Sequence, residues 1–338
     1  MKFVLTEEQQ ALAEAVDEII ESAGGTKAAR TWAAGDPASG QALWAQLADL
    51  GLLGLCVPEA DGGMGGTAVD LVVAFERLGY HAVPGPYIES GALLPDLVGA
   101  DVRRGIVDGS IIATAAVPGL APYALDAAAS SHHFLVDAES ISSATSGPGI
   151  ASIDRTRTLH ELTAAGESSA LDPAVVALAL DRATLACSAV LLGAGERLLA
   201  EAVSYAKIRE QFGRAIGEYQ ALKHQLADVR IALTFARPLV TGAALNLGDP
   251  DSARSISAAK IAAGEAANLA ARVALQVHGA IGYTEEHDLG LWITRVRALM
   301  GVWGTPRHHY DRIASLLLSP GTSPAPSPAP SPVVSPTR

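Results

Sequence analysis

The chain has 338 residues, 49% of them hydrophobic, and so has the length and apolar content for two or three packed layers around a sizeable core. Its formal net charge of −12 excludes a nucleic-acid partner, which would require clustered Lys and Arg to meet phosphates. No stretch reads as apolar for long enough to cross a bilayer, so no membrane partner is expected.

In chain order, the N-terminus "MKFVLTEEQQALAEAVDEII" lacks the layout of a signal peptide, because acids interrupt it at once. Thr6 and Gln9 resemble a capping box, and Leu12, Val16, Ile19 and Ile20 share one face, which predicts a helix. "LWAQLADLGLLGL" (43–55) predicts a second helix, and "PEADGGMGGTAVD" (58–70) a glycine-punctuated loop. "AVDLVVAFERLGY" (68–80) resumes helical spacing and ends at Gly79. Cys56 and Cys187 lie far apart in apolar company. They read as small buried residues of a cytoplasmic protein rather than as a disulfide or metal pair.

Between 106 and 170 the pattern changes, and "SIIATAAV", "HHFLVDA" and "ASIDRTRTLHEL" predict strands. From Leu171 to Leu318 the helical period returns, with Leu222, Leu226, Val229 and Leu233 on one face and Ala-rich runs that pack closely. The end, "SPGTSPAPSPAPSPVVSPTR" (319–338), has too little apolar content to fold and is expected to be a disordered tail. Helices, a small β insert and helices again give an α+β chain that is mainly α.

Three segments together resemble the acyl-CoA dehydrogenase family: 43–79, "YAKIREQFGRAIGEYQALKHQLADV" (205–229) and "QVHGAIGYTEEHDLGLWITRVRAL" (276–299). The pairing of R-x-Q-F-G with Y-Q-x-x-K-H-x-L-A-D is the specific part. The resemblance implies an N-terminal helical domain (1–105), a β domain shorter than the family's usual one (106–170) and a C-terminal four-helix domain (171–318). It also implies FAD, an acyl-CoA substrate, α,β-dehydrogenation of the thioester, and an electron-transfer flavoprotein as acceptor.

An Arg on a helix is ordinarily a solvated charge, and a Phe an ordinary core residue. At a helix junction the two can instead grip a diphosphate and an adenine. The resemblance assigns Arg209 and Phe212 to the adenine half of FAD. It places the backbone of Gln276, Gly279 and Ala280 by the pyrophosphate, with Ala280 standing where most members have Gly. Gln211, Gln220 and Thr305 join the same set of cofactor contacts. His278 has no second ligand at metal spacing and is expected to pack against its neighbours.

The family's base is usually a Glu immediately before a Gly-Thr pair. Here the pair is Gly304-Thr305 and Trp303 precedes it, and indole cannot accept a proton. His308 and His309 follow, as titratable groups or as a solvated helix surface. Members that carry the base on an earlier helix place it near Ala183 or Thr184. Asp181 lies two residues early, rotated by roughly 200° on a helix, and it or Arg182 recovers the site only through a slipped alignment. Glu285 and Glu286 follow Tyr283 in a motif that is acidic in many members and is not the base there.

The family's flavin-holding Thr-Glu-Pro-x-x-Gly-Ser-Asp-like loop is absent from 106–170, where "ATAAVPGLAPYALDA" takes its place. The family's Trp-Ile-Thr strand is absent there too, and the "WIT" at 292–294 lies in another segment. The chain therefore resembles the shorter subunit of the α2β2 acyl-CoA dehydrogenases of bacterial sterol degradation, in which a second subunit holds the flavin ring and the base. Two other readings stay open: a homomeric enzyme using Asp181 or a histidine, and a helical scaffold without FAD.

Overall fold

Thr6 starts the first helix as expected. Its Oγ1 accepts from the Gln9 N–H at 3.2 Å while the Gln9 side chain accepts from the Thr6 N–H at 3.1 Å, opening α1 (Glu7–Ser22). The computed structural model describes residues 4–284 and 287–318. Val16 and Ile20 of α1 are buried. A helix that apolar spacing did not reveal, α2 (Thr26–Ala33), precedes α3 (Ala38–Asp49). The helix expected over 43–55 stops at Asp49. Gly51 turns the chain at φ +89°, and a 3₁₀ turn, Leu52–Gly54, continues. α4 (Ala68–Tyr80) is capped by Thr67 and Asp70 and runs past Gly79. A buried π-helical turn, Ile88–Leu93, and α5 (Ala100–Val107) complete the N-terminal helices. Cys187 is buried as expected, but Cys56 is only partly so.

The β region forms one five-stranded sheet in the order β1 (Ala113–Ala116), β3 (His132–Val136), β4 (Ser140–Ala151), β5 (Thr158–Ala170) and β2 (Ala124–Leu125). β1 and β3 are parallel, with Ala113 opposite His132, and the other pairings are antiparallel. The segment 151–162 is not one strand. β4 ends at Ala151, 152–157 bends, and β5 starts at Thr158. The bend is enforced by Asp154, whose Oδ1 accepts from the Thr156 N–H at 3.0 Å and from its hydroxyl at 2.7 Å.

The C-terminal part is built on α6 (Pro173–Ile208), followed by a short hairpin of β6 (Glu210–Gln211) and β7 (Arg214–Ala215), then α7 (Gln220–Leu245), α8 (Ser252–His278), α9 (Leu289–Leu299) and α10 (Pro306–Leu318). By length and composition α6 can cross a bilayer, contrary to the reading of the sequence, but 78% of its most apolar window is buried in the fold. It is the central core helix. α4 crosses it in backbone contact. A Cβ at Gly79 would lie 2.1 Å from the Val190 carbonyl oxygen, and one at Gly193 would lie 1.9 Å from that of Glu76. Gly79 is therefore a contact point inside α4 rather than its stop signal.

Arg295 of α9 ties the three parts together. Its Nε donates to Asp154 at 2.6 Å, one terminal nitrogen donates to the Val83 carbonyl at 2.8 Å, and the other donates to the Thr156 hydroxyl. The guanidinium holds the Asp154 carboxyl below its ordinary range despite burial.

Candidate functional site

Arg209 is the C-cap of α6, so Arg209, Gln211 and Phe212 sit on a hairpin projecting from the end of that helix. Phe212 takes φ +53° at the hairpin turn and is 93% exposed, which rules out a core role. The Tyr219 hydroxyl donates to the Gln211 carbonyl at 3.2 Å, and Arg214 lies over the Tyr219 ring at 4.1 Å. These contacts brace the hairpin while Arg209, Gln211 and Gln220 stay exposed.

The end of α8 lies beside the end of α6. Tyr205 and His278 stack with ring centroids 4.4 Å apart, and the His278 Nδ1 bonds the Ala274 carbonyl at 2.8 Å. This stack brings Gln276, Gly279 and Ala280, all exposed, to the hairpin's side of the molecule. Gly279 has φ +60° and nothing within 4 Å of where a Cβ would stand, so its backbone is open to close approach.

Thr305 is elsewhere. It caps α10, accepting from the His308 N–H at 3.2 Å. The adjacent Gly304 carbonyl lies 3.4 Å from Lys260, and Gln276 is about 24 Å further along α8 at 1.5 Å per residue. The expected cofactor residues thus fall into two groups, an exposed patch at the α6 and α8 ends and Thr305 next to the position of the base.

That position is filled. Trp303 is fully buried at φ +57°, and its loop is held by buried donors. Lys260 donates to the Leu299 carbonyl at 3.0 Å, and His309 Nε2 meets the Trp303 carbonyl at 2.9 Å. His309 is therefore not a solvated surface residue. It also bonds Ser257, and burial pushes its pKa down to about 4, so it is neutral at physiological pH. His308 remains exposed. Burial likewise lowers the Lys260 pKa. The Lys260 clamp had no signal in the sequence, where it is one charge in an Ala-rich helix.

Asp181 is buried and paired with Arg312 of α10 at 2.6 Å, and Arg182 pairs with Asp96 while donating to the Ala92 carbonyl. Both are structural links between elements, and neither presents a free base. Ala183 and Thr184 are buried in α6, with the Thr184 hydroxyl bonded to the Leu180 carbonyl. Trp292 is a core residue whose indole donates to the Tyr80 carbonyl at 2.9 Å. In place of the expected flavin-holding loop, the chain after β1 closes a tight turn through a Val117–Ala121 bridge. Glu285 and Glu286 lie outside the described residues, as does the tail from 319.

Residues 6–94 match the model of the acyl-CoA dehydrogenase N-terminal domain and residues 173–318 that of the acyl-CoA dehydrogenase C-terminal domain. The chain belongs to the acyl-CoA dehydrogenase family. It is 32% identical over 324 residues to acyl-CoA dehydrogenase IpdE2 of Mycobacterium tuberculosis, covering 91% of this chain and 97% of the relative. Its identity to IpdE2 of Mycolicibacterium smegmatis is 30%, covering 91% and 98%. A variant of the Tcur3481–Tcur3483 steroid ACAD superposes with a TM-score of 0.80 at 25% identity, over 92% of this chain and 98% of that one.

Members of this family are FAD-binding flavoproteins. The residues present fit the adenine end of that cofactor: an uncovered aromatic ring, an exposed Arg and an open glycine backbone. Before Gly304-Thr305 the buried Trp303 stands in place of a carboxylate, and the chain after β1 closes a tight turn.

Proposed function

We propose that this chain is one of two unlike subunits of an FAD-dependent acyl-CoA dehydrogenase, acting in the cytoplasm. It supplies the adenine side of a shared FAD site, while the flavin side and the catalytic carboxylate stand on the partner. The observation that carries this reading is the separation of the open patch around Arg209, Phe212 and Gly279 from a base position sealed by Trp303. Likeness to a steroid enzyme named for two chains supports both the unlike-subunit assembly and a steroid-derived acyl-CoA as substrate.

FAD, when bound, would supply hydride-accepting chemistry, with an electron-transfer flavoprotein as the proposed electron acceptor. This chain's residues would bind and orient it. The Arg209 guanidinium would meet the diphosphate by charge-assisted hydrogen bonds, the Phe212 ring would serve the adenine, and Gln276, Gly279 and Ala280 would present backbone to the pyrophosphate. Gln211 and Gln220 flank them. The proton beside the thioester carbonyl goes to the partner's carboxylate.

The test is dye-linked acyl-CoA oxidation by complexes altered in one chain at a time. Removing the partner's carboxylate abolishes turnover, while Asp181→Asn in this chain leaves it within a few-fold. Loss of turnover on changing Asp181, with the partner's carboxylate dispensable, would move the chemistry to this chain.

A further inference from the structure

Where the N-terminal helices, the sheet and α9 meet, a chamber of about 30 Å³ is lined by Tyr87, Glu89, Arg157 and Arg295 among apolar walls that include Phe75 and Leu125. Two of its polar groups lack partners among the described residues. Glu89 is 2% exposed and its Oε2 makes no hydrogen bond, and the hydroxyl of the buried Tyr87 makes none either. A buried carboxyl left this way is costly. Each water needs roughly 10–15 Å³ of such space and two to four polar partners, so the chamber has room for two.

We propose that two ordered waters occupy this chamber and bridge Glu89, Tyr87 and Arg157, making a proton-sensitive latch between the helical part and the sheet. A direct ion pair is not formed. Water accepts from the guanidinium, the phenol and the protonated carboxyl and also donates to the carboxyl's remaining oxygen, whereas an anion only accepts. Glu89 sits on the π-helical turn and Arg157 on the bend before β5, so the bridge crosses the domain junction.

The groups facing Glu89 are Arg157 and Asp126 from the sheet region, Arg295 from α9, Cys187 from α6 and Tyr87 from its own turn; α4 offers only apolar side chains there. Burial raises the Glu89 pKa to about 7 against the attraction of Arg157, and the Asp126 pKa to about 6. A carboxyl raised in the folded state costs stability as pH rises from its ordinary value to its folded one. The latch is therefore strongest with Glu89 protonated and weakens as pH rises from about 4.5 to about 7.

The test compares the full chain with Glu89→Gln, a mimic of the protonated acid. The variant should match the wild type at pH 5. At pH 8 its unfolding equilibrium constant should be about a hundredfold smaller, and a high-resolution crystal structure of the wild type should show two water peaks within hydrogen-bond distance of Glu89 and Arg157. Parallel pH profiles for the two proteins would overturn the latch. A dry chamber, or an anomalous bromide peak there after soaking, would overturn the water assignment, and Tyr87→Phe keeps the test open should Glu89→Gln fail to fold. Tyr87→Phe should lose one of the two water peaks, and retention of both would remove Tyr87 from the bridge.

Discussion

Phe212 and Trp303 share an uncommon backbone, at φ +53° and φ +57°, and have opposite surroundings: one ring is 93% exposed, the other fully buried. Arg209 and Phe212 stood out in the sequence because their spacing belongs to a specific motif. The setting of Trp303 was half legible. Its place before Gly304-Thr305 could be read, but the clamp of Lys260 and His309 depends on contacts from distant helices. In a complex with the partner, Arg209→Ala should weaken FAD binding by roughly 1.5–3 kcal/mol, about tenfold to a hundredfold, with helical circular dichroism unchanged. Flavin retention after gel filtration measures it. His309 gives a pH signature. Its folded pKa of about 4 lies below the ordinary histidine value, so its contribution is full above pH 6.5 and is lost as pH falls towards 4. His309→Gln should remove that component, so the melting temperature of wild type relative to the variant should fall by several degrees between pH 7 and pH 4.5.

At the scale of elements, helices with strong periodicity were the readable ones. α1 carried both a capping box and an apolar face. α2, with only eight residues, offered too short a window, and β4 hid in a Ser- and Gly-rich stretch containing Pro148, a composition that ordinarily signals a loop. That strand is legible only through its long pairing with β5. The glycines of α4 and α6 make a sharper case, since from sequence Gly79 marked an end, whereas the crossing needs it and Gly193 to be bare. Gly193→Ala, favourable by helix propensity alone by about 1 kcal/mol, should instead destabilise the chain by 1–3 kcal/mol or more. Chemical denaturation of the variant decides between the two, and a stabilised variant would contradict the backbone contact.

For the whole molecule, family and fold class were readable, because they rest on local motifs. Hidden were the chamber around Glu89 and the Arg295 junction, whose members are scattered over the chain and meet only on folding. Composition alone argues that the segment after Ser319 contributes little, as a Pro-Ser-Ala repeat has no apolar face to dock. Truncation there should leave the melting temperature within about 1 °C and the assembly intact, as read by calorimetry and light scattering.

The division of one FAD site between two chains is tested most directly by flavin stoichiometry. The chain is purified alone and after co-expression with a candidate partner subunit of the same family that carries the catalytic carboxylate, and the flavin absorbance of each preparation is recorded. The account predicts a nearly colourless chain and a yellow complex with flavin in fixed ratio to the paired subunits. Stoichiometric FAD in the chain purified alone would contradict it.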